Sequence, residues 1–327
     1  MRSRYRAFIF MICGLICCHA QPAHILVIES YHAQYPWDMG YKKALQEHIA
    51  GEHQFSFFEM DTKRVTRAQY LYRAELAWTH YQDLKPDIVV LGDDNALKYL
   101  GGRLAQTLTP VVYLGINNNP RNYGIANADN ITGVLERPLI KRSIMTAAAI
   151  AKDMKRVLIL FDSGNTAQIA LANEFANQKT STVSNIQVET KLIGNYALWK
   201  NQVLSAKSKD FDAIIIGLYH TLRDEKDQHI AAEQVLSWTS KNTSLPLFGL
   251  WDFAIGQNKA CGGLVLQSYQ QGAAAANIIN RILQGESPQQ IRPTTATNGT
   301  YLFSRSEIER FRLLVPEQIA LSAKWID

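Results

Sequence analysis

The sequence predicts an α/β protein built as two doubly wound, Rossmann-like lobes with a ligand cleft between them. Three observations predict it. Short apolar runs alternate with helix-length segments, the series restarts near residue 156, and the runs end in polar or aromatic loops. Alternation at this spacing marks parallel sheets covered by helices.

The chain opens with the layout of a secretory signal over residues 1–20. Arg2, Arg4 and Arg6 precede an apolar run over 7–16, and Cys18-His19-Ala20 offers small residues for cleavage after Ala20. The run is shorter than the roughly 20 residues of a spanning helix. Lipidation at Cys17 or Cys18 is the lesser alternative, because the residues before each cysteine suit it poorly. With Cys13, Cys17 and Cys18 removed, Cys261 stands alone and no internal disulfide is expected. A secreted chain without disulfides must bury a proper core, and about 300 mature residues favour two domains. The net charge is +5, of which the three signal arginines carry three. No basic stripe for nucleic acid remains. No other stretch reaches spanning length, so the mature body is expected to be soluble and periplasmic.

Residues 24–29 form a short apolar run suited to a buried parallel strand. A helix over 37–50, a strand over 55–60 and a helix over 67–84 follow. A strand over 87–92, a helix from Asn95 and a strand over 110–115 continue the series. Residues 156–162 then repeat the opening strand, with a helix over 166–178 behind it. Strands over 186–192, 212–217 and 246–250 complete the second series. Phe211-Asp212-Ala213-Ile214-Ile215 echoes Lys85-Pro86-Asp87-Ile88-Val89, with Asp before a β-branched run in both. The join falls around residues 131–138.

The tail adds a strand over 261–266 and an Ala-rich helix over 272–283, stopped by Gly285-Glu286-Ser287-Pro288. A strand over 300–303, a short helix and Pro316 end the chain. No low-complexity linker separates the halves, so several crossing segments are expected. The expected first lobe is 21–136 plus about 265–297. The expected second lobe is 137–264 plus about 298–327.

Catalytic signatures are missing. The sequence holds no G-x-S-x-G elbow, H-E-x-x-H pair, Walker loop or G-x-G-x-x-G. Its eight histidines lack metal-ligand spacing, and Cys261 has no nucleophile signature around it. No catalytic residue, metal or cofactor is expected. A secreted enzyme on the same scaffold is a distant alternative.

Polar and aromatic residues gather instead at the carboxyl ends of the expected strands, where open α/β sheets bind ligands. They are Ser30-Tyr31-His32 with Tyr35-Pro36-Trp37, Gly92-Asp93-Asp94-Asn95, and Gly115-Ile116-Asn117-Asn118-Asn119. In the second half they are Asp162-Ser163-Gly164-Asn165, Tyr219-His220 and Trp251-Asp252. Each has a plain structural reading. Asp162-Ser163-Gly164-Asn165 serves equally well as a helix cap, and Asn117-Asn118-Asn119-Pro120 is most simply a turn. Two adjacent carboxylates exceed what one cap requires, so one of the Asp93–Asp94 pair is expected to meet a cationic group. His220 fits a surface histidine as well as a contact.

The segment Gly272-Ala273-Ala274-Ala275-Ala276-Asn277, the exit Gly285-Glu286-Ser287-Pro288 and the ending through Val315-Pro316 resemble the type I periplasmic binding proteins. The resemblance is to the ABC-transporter substrate-binding group with tryptophan- and tyrosine-binding members. Ser30-Tyr31-His32 with Pro36-Trp37, Met60-Asp61-Thr62-Lys63-Arg64, Asp93-Asp94-Asn95-Ala96-Leu97 and Gly115-Ile116-Asn117-Asn118 are also similar to extracytoplasmic input domains of sensor kinases and diguanylate cyclases. The resemblance implies a small-molecule ligand held by hinge closure. It also implies a membrane permease or a membrane-bound receptor as partner. The expected ligand residues are Tyr31, Trp37, Asp94, Asn95 and Asn117 from the first lobe. The second lobe would contribute Ser163, Asn165, Tyr219, Trp251 and Asp252. An amino acid would set its ammonium on an acid. No arginine sits in these loops for its carboxylate, Arg137 being the nearest.

Overall fold

The computed structural model describes residues 22–295 and 298–327. The expected signal, its cleavage point at Ala20 and Cys17 and Cys18 lie outside the described residues.

Strand–helix units build the first lobe: β1 (His24–Glu29), α1 (Pro36–His48), β2 (Gln54–Glu59), α2 (Tyr70–Leu84), β3 (Ile88–Gly92), α3 (Asp93–Leu104), β4 (Val111–Ile116) and β5 (Ile131–Leu135). Every residue of β3 and β4 is buried. A parallel strand covered on both faces must be apolar throughout rather than alternating. The pairing β2–β1–β3–β4–β5 is parallel at each step.

The second lobe holds α4 (Ile140–Ile150), β6 (Arg156–Asp162), α5 (Asn165–Phe175), β7 (Thr180–Val183), β8 (Ile186–Ile193), α6 (Tyr196–Ser205), β9 (Ala213–Ile216), α7 (Ala232–Asn242), β10 (Leu247–Gly249) and β11 (Gly262–Val265). The chain then returns. α8 (Ser268–Leu283) packs on α1, β4 and β5 of the first lobe. It approaches α1 closely because Gly40 and Gly272 carry no Cβ: a methyl on Gly272 would stand 2.3 Å from the Tyr41 carbonyl oxygen. β12 (Thr294–Thr295) pairs with β5. β13 (Thr300–Ser304) lies antiparallel to β11, and α9 (Arg305–Arg310), α10 (Glu317–Ala320) and β14 (Lys324–Ile326) finish the second lobe. The second sheet runs β14-β13-β11-β10-β9-β6-β8-β7. The chain therefore crosses between sheets after β5, after β11 and between β12 and β13.

Several boundaries differ from the sequence reading for local reasons. α1 starts at Pro36, whose fixed φ suits a first helical position. The helix expected from residue 67 begins as a 3₁₀ turn over Arg67–Gln69, held by a capping box between Thr66 and Gln69. α3 begins at Asp93, two residues before Asn95, with Asp93 in the left-handed region at φ 68°. Both acids therefore occupy the first turn of the helix rather than a loop. No helix among the described residues is long and apolar enough to cross a membrane.

One cluster of buried apolar side chains runs from Ile25 and Trp37 in the first lobe to Ile215 and Trp251 in the second. The lobes are closed on each other.

Candidate ligand site between the lobes

The carboxyl ends of β1, β3 and β4 face those of β6, β9 and β10 across the cleft. Tyr31, Tyr35, Trp37, Lys63 and Asp93 come from the first lobe, Glu136 from the crossing after β5, and Thr166, Leu218 and Trp251 from the second lobe. Together they enclose about 10 Å³, which is roughly one water-sized site. Tyr31 and Tyr35 meet edge to face at 5.0 Å, and Tyr35 meets His220 of the other lobe in the same way at 4.8 Å. Trp251 stands edge-on to Phe161 at 6.1 Å and parallel to Phe253 at 6.2 Å. These are favoured ring arrangements.

Hydrogen bonds close the box. Tyr31 Oη lies 3.1 Å from Thr166 Oγ1 across the lobes. Asn173 Nδ2 donates to the Asn117 carbonyl at 2.9 Å, and Arg223 Nη2 donates to the Arg64 carbonyl at 2.9 Å. Glu136 accepts from Trp251 Nε1 at 2.8 Å and from Asn117 Nδ2 at 2.9 Å.

The box is strongly polar beneath its aromatic walls. Lys63 is only 5% exposed. Its ammonium rests 4.2 Å from the Tyr31 ring centre and 4.9 Å from that of Tyr35. Burial pushes its pKa down, against the pull of Asp162 and Asp93. Burial first, and then Asp38, push the Asp93 carboxyl well above the carboxylate range, and its Oδ2 has no hydrogen-bond partner. Glu136 is pushed up to about 7 by burial, with the Trp251 and Asn117 donors opposing. An unpaired buried charge is costly, so such groups either neutralise or find a partner.

A second, wider space lies outside this box at the mouth of the cleft. It encloses about 610 Å³ between Lys63, Thr66, Arg67 and Tyr70 on one side and Ser163, Gly164, Asn195, Thr221 and Arg223 on the other. Lys63 lines both spaces. No cluster of three or more metal-ligating side chains occurs among the described residues. Cys261 is buried, its thiol donates to the Leu247 carbonyl at 2.8 Å, and burial raises its pKa.

This two-sheet, three-crossing architecture has known relatives. The family model for ABC transporter substrate binding protein matches residues 105–326. The chain belongs to this family.

Solved structures extend the likeness to nearly the whole substrate-binding protein. The ABC domain from Streptococcus pneumoniae in complex with L-Trp is 16% identical, with a TM-score of 0.68 over 94% of this chain and 100% of that one. A conserved domain protein from Vibrio cholerae is 14% identical, with a TM-score of 0.70 over 94% and 100%. An ABC transporter solute binding protein from Clostridium phytofermentas with bound L-rhamnose is 15% identical, with a TM-score of 0.54 over 82% and 83%. At these identities the likeness is one of fold. A search of curated proteins returns no match.

In this substrate-binding protein the expected ligand residues divide. Tyr31, Trp37 and Trp251 wall the inner box. Asn117 braces Glu136 behind it, with its Oδ1 unpartnered. Ser163 lines the outer groove, and Asn165 opens α5 with its buried Nδ2 unpartnered. Asp94 does not face the box. It accepts from the Asn117 and Asn118 amides at 3.0 and 3.1 Å and from Tyr123 Oη at 3.0 Å, which folds the loop after β4 onto α3. Its neighbour Asp93 faces the box instead. Asn95 donates to Thr62 Oγ1 at 2.8 Å and ties the first turn of α3 to the loop after β2. Tyr219 stacks on His220 at 4.3 Å and lines a separate cavity of about 210 Å³ with Phe253 and Glu233. Asp252 accepts from the Phe253 amide at 2.9 Å and, pushed up to about 6 by burial, shapes the turn after β10 outside the box.

Tyr35, Lys63, Asp93, Glu136, Thr166 and Leu218 are the box residues that the strand-end reading leaves off its ligand set. Tyr35 and Asp93 stood inside segments already singled out. Lys63 stood in the Met60–Arg64 motif, where a lysine between polar residues looks like a solvated one. Glu136 carries no local signal beyond following an apolar run.

Proposed function

We propose that this protein captures a small molecule between its lobes and presents the closed form to a membrane partner, in the first instance an ABC-transporter permease, from the periplasmic side. The observation that carries this reading is a box walled by aromatic rings of both lobes and held shut by lobe-to-lobe hydrogen bonds. A solute that touches both walls binds the closed arrangement better than the open one, so its binding shifts the population towards closure. Tyr31, Trp37 and Trp251, which enclose only about 10 Å³ here, would part to admit the solute and then pack on it. Asp93 and Glu136, desolvated and facing inward, would take its donor groups, with Asn117 as the brace. Solved structures of the same fold with L-Trp and L-rhamnose in place support a small organic solute.

A second reading has its own support. Three of the four segments similar to receptor input domains, around Tyr31–Trp37, Met60–Arg64 and Asp93–Leu97, supply Tyr31, Tyr35, Trp37, Lys63 and Asp93 to the box. The closed form would then be read by a membrane-bound sensor kinase or diguanylate cyclase.

A thermal-shift screen of the purified chain against amino acids, sugars, polyamines and purines tests the capture. A solute at 100 times its dissociation constant should stabilise the fold by roughly 2.7 kcal/mol. The shift should vanish in Trp251→Ala and Asp93→Asn. A response that survives both substitutions would place the solute elsewhere and defeat the reading.

A further inference from the structure

The outer groove and the inner box meet at one side chain, Lys63. No carboxylate of the described residues comes within 4.0 Å of its ammonium, the limit for an ion pair. The side chain nevertheless is 95% buried, and rests on two tyrosine faces. Asp162, Asp93, Asp38 and Glu136 act on it from beyond ion-pair distance, and the first is already committed: its oxygens accept from the amides of Gly164, His220 and Thr221 at 2.8–3.1 Å. A buried cation in this position lacks the strong partner that usually accompanies one.

What faces Lys63 across the groove is a set of hydrogen-bond donors. α5 starts there with Gly164 at its cap, and glycine supplies no side-chain acceptor for the first-turn amides. Thr221 Oγ1, which lines the groove, is buried and has no partner. A side chain on Gly164 would stand 2.9 Å from Asp162 Oδ1 and 3.2 Å from Thr221 Cγ2, so glycine is what keeps the helix end open. Arg67 reaches over from the first lobe, its Nη2 donating to the Ser163 carbonyl at 3.3 Å. The groove's own acids are engaged: Asp227 lies 3.8 Å from Arg223 Nε, and Asp224 accepts from the amides of Lys226 and Gln228.

We infer that the outer groove binds an anionic group of the solute, a carboxylate or a phosphate, between the Lys63 ammonium and the N-terminus of α5. This inference rests on the reading above that a solute is held between the lobes, and it names the chemistry of one end of that solute. The donors come from both lobes, so the anion acts as a bridge. The helix end contributes positive potential and free amides, and the ammonium contributes full charge in a poorly solvated place where charge-assisted bonds are strong.

Calorimetric titration of the purified chain tests it with succinate and benzoate as carboxylates, and inorganic phosphate and phenyl phosphate as phosphates. Putrescine and glucose serve as the cationic and neutral controls. At least one anion should bind, and the class that binds distinguishes carboxylate from phosphate. Lys63→Met should weaken that binding by about tenfold or more, as loss of one partner of a buried charge pair does, whereas Lys63→Arg should retain most of it. Lys63 is buried and its replacement can cost stability, so Arg67→Ala at an exposed position supplies a second readout, with a loss of a few-fold and a steeper fall in low salt. Failure of all four anions to bind overturns the inference, as does an anion bound equally well by wild type, Lys63→Met and Arg67→Ala. Binding of putrescine or glucose that depends on Trp251 but not on Lys63 would overturn the anion site and leave solute capture standing.

Discussion

Trp251 Nε1 donates to Glu136 Oε1 at 2.8 Å, which joins the second lobe's aromatic wall to the segment on which the chain first crosses between lobes. The other carboxylate oxygen accepts from Asn117 Nδ2 of the first lobe. One buried carboxylate thus binds both lobes at the crossing. Its protonation and the closure of the cleft are linked.

That link gives a pH dependence with a definite sign. Glu136 has a pKa of about 7 against an ordinary value of 4.5, so the folded, closed form holds its proton longer than the unfolded chain. The stabilisation is full below about pH 4.5 and is lost as pH rises through 7. The loss should be on the order of 3 kcal/mol. Urea denaturation at pH 5 and pH 8 measures it. Glu136→Gln should flatten this part of the slope while keeping the Trp251 bond, since the Asn117 amide can turn over and offer its unpartnered Oδ1. An unchanged slope in that variant would remove Glu136 from the account.

The adjacent acids should respond in opposite ways. Asp94→Asn keeps one accepting oxygen but turns the other into a donor against a backbone amide or the Tyr123 hydroxyl, and should destabilise the fold by about 2 kcal/mol. Asp93→Asn removes a buried, partly unpartnered carboxylate at φ 68°, a conformation asparagine tolerates. It should leave stability at pH 8 unchanged or raised, and impair solute binding. Thermal melts of the two variants side by side decide this, and equal losses would contradict it.

Tyr31→Phe deletes the hydroxyl that meets Thr166 across the lobes and leaves the ring in place. The bond is worth about 1 kcal/mol, so solute affinity should fall roughly fivefold through weaker closure. Titration with the solute found in the screen reads this directly, with Thr166→Val as the matching partner. Non-additive losses in the double variant would establish the pair.

Cys261 should be chemically silent while the protein is folded. Its side chain has no exposure, its proton is held by the Leu247 carbonyl, and burial raises its pKa. A thiol reagent at pH 8 should leave Cys261 unlabelled in the native protein and modify it in guanidinium. Rapid native labelling would mean that β11 opens readily.

Much of the architecture is legible in the residues themselves. A strand buried on both faces has to be apolar throughout, so β1, β3, β4, β6, β9 and β10 announce themselves as runs, and polar or aromatic residues at their carboxyl ends mark the cleft. Tyr31, Trp37 and Trp251 follow from that rule. The short edge strands β7, β12 and β14 carry no such run, because an edge needs no second covered face, and they emerge only through pairing. β5 stood inside the presumed join for a different reason: its five residues follow a loop rather than a helix. Which of two adjacent acids enters the box was decided by the left-handed turn at Asp93 and by the β4 loop folding back onto Asp94. Lys63, Glu136 and Thr166 meet only when two sheets close, across separations of 30 to about 100 residues that no local pattern encodes. The sequence by itself determined the two lobes and where their strand ends lie, since burial dictates composition strand by strand. Tertiary structure alone decided which charges are buried together in the cleft, because that depends on surfaces brought into contact by three chain crossings.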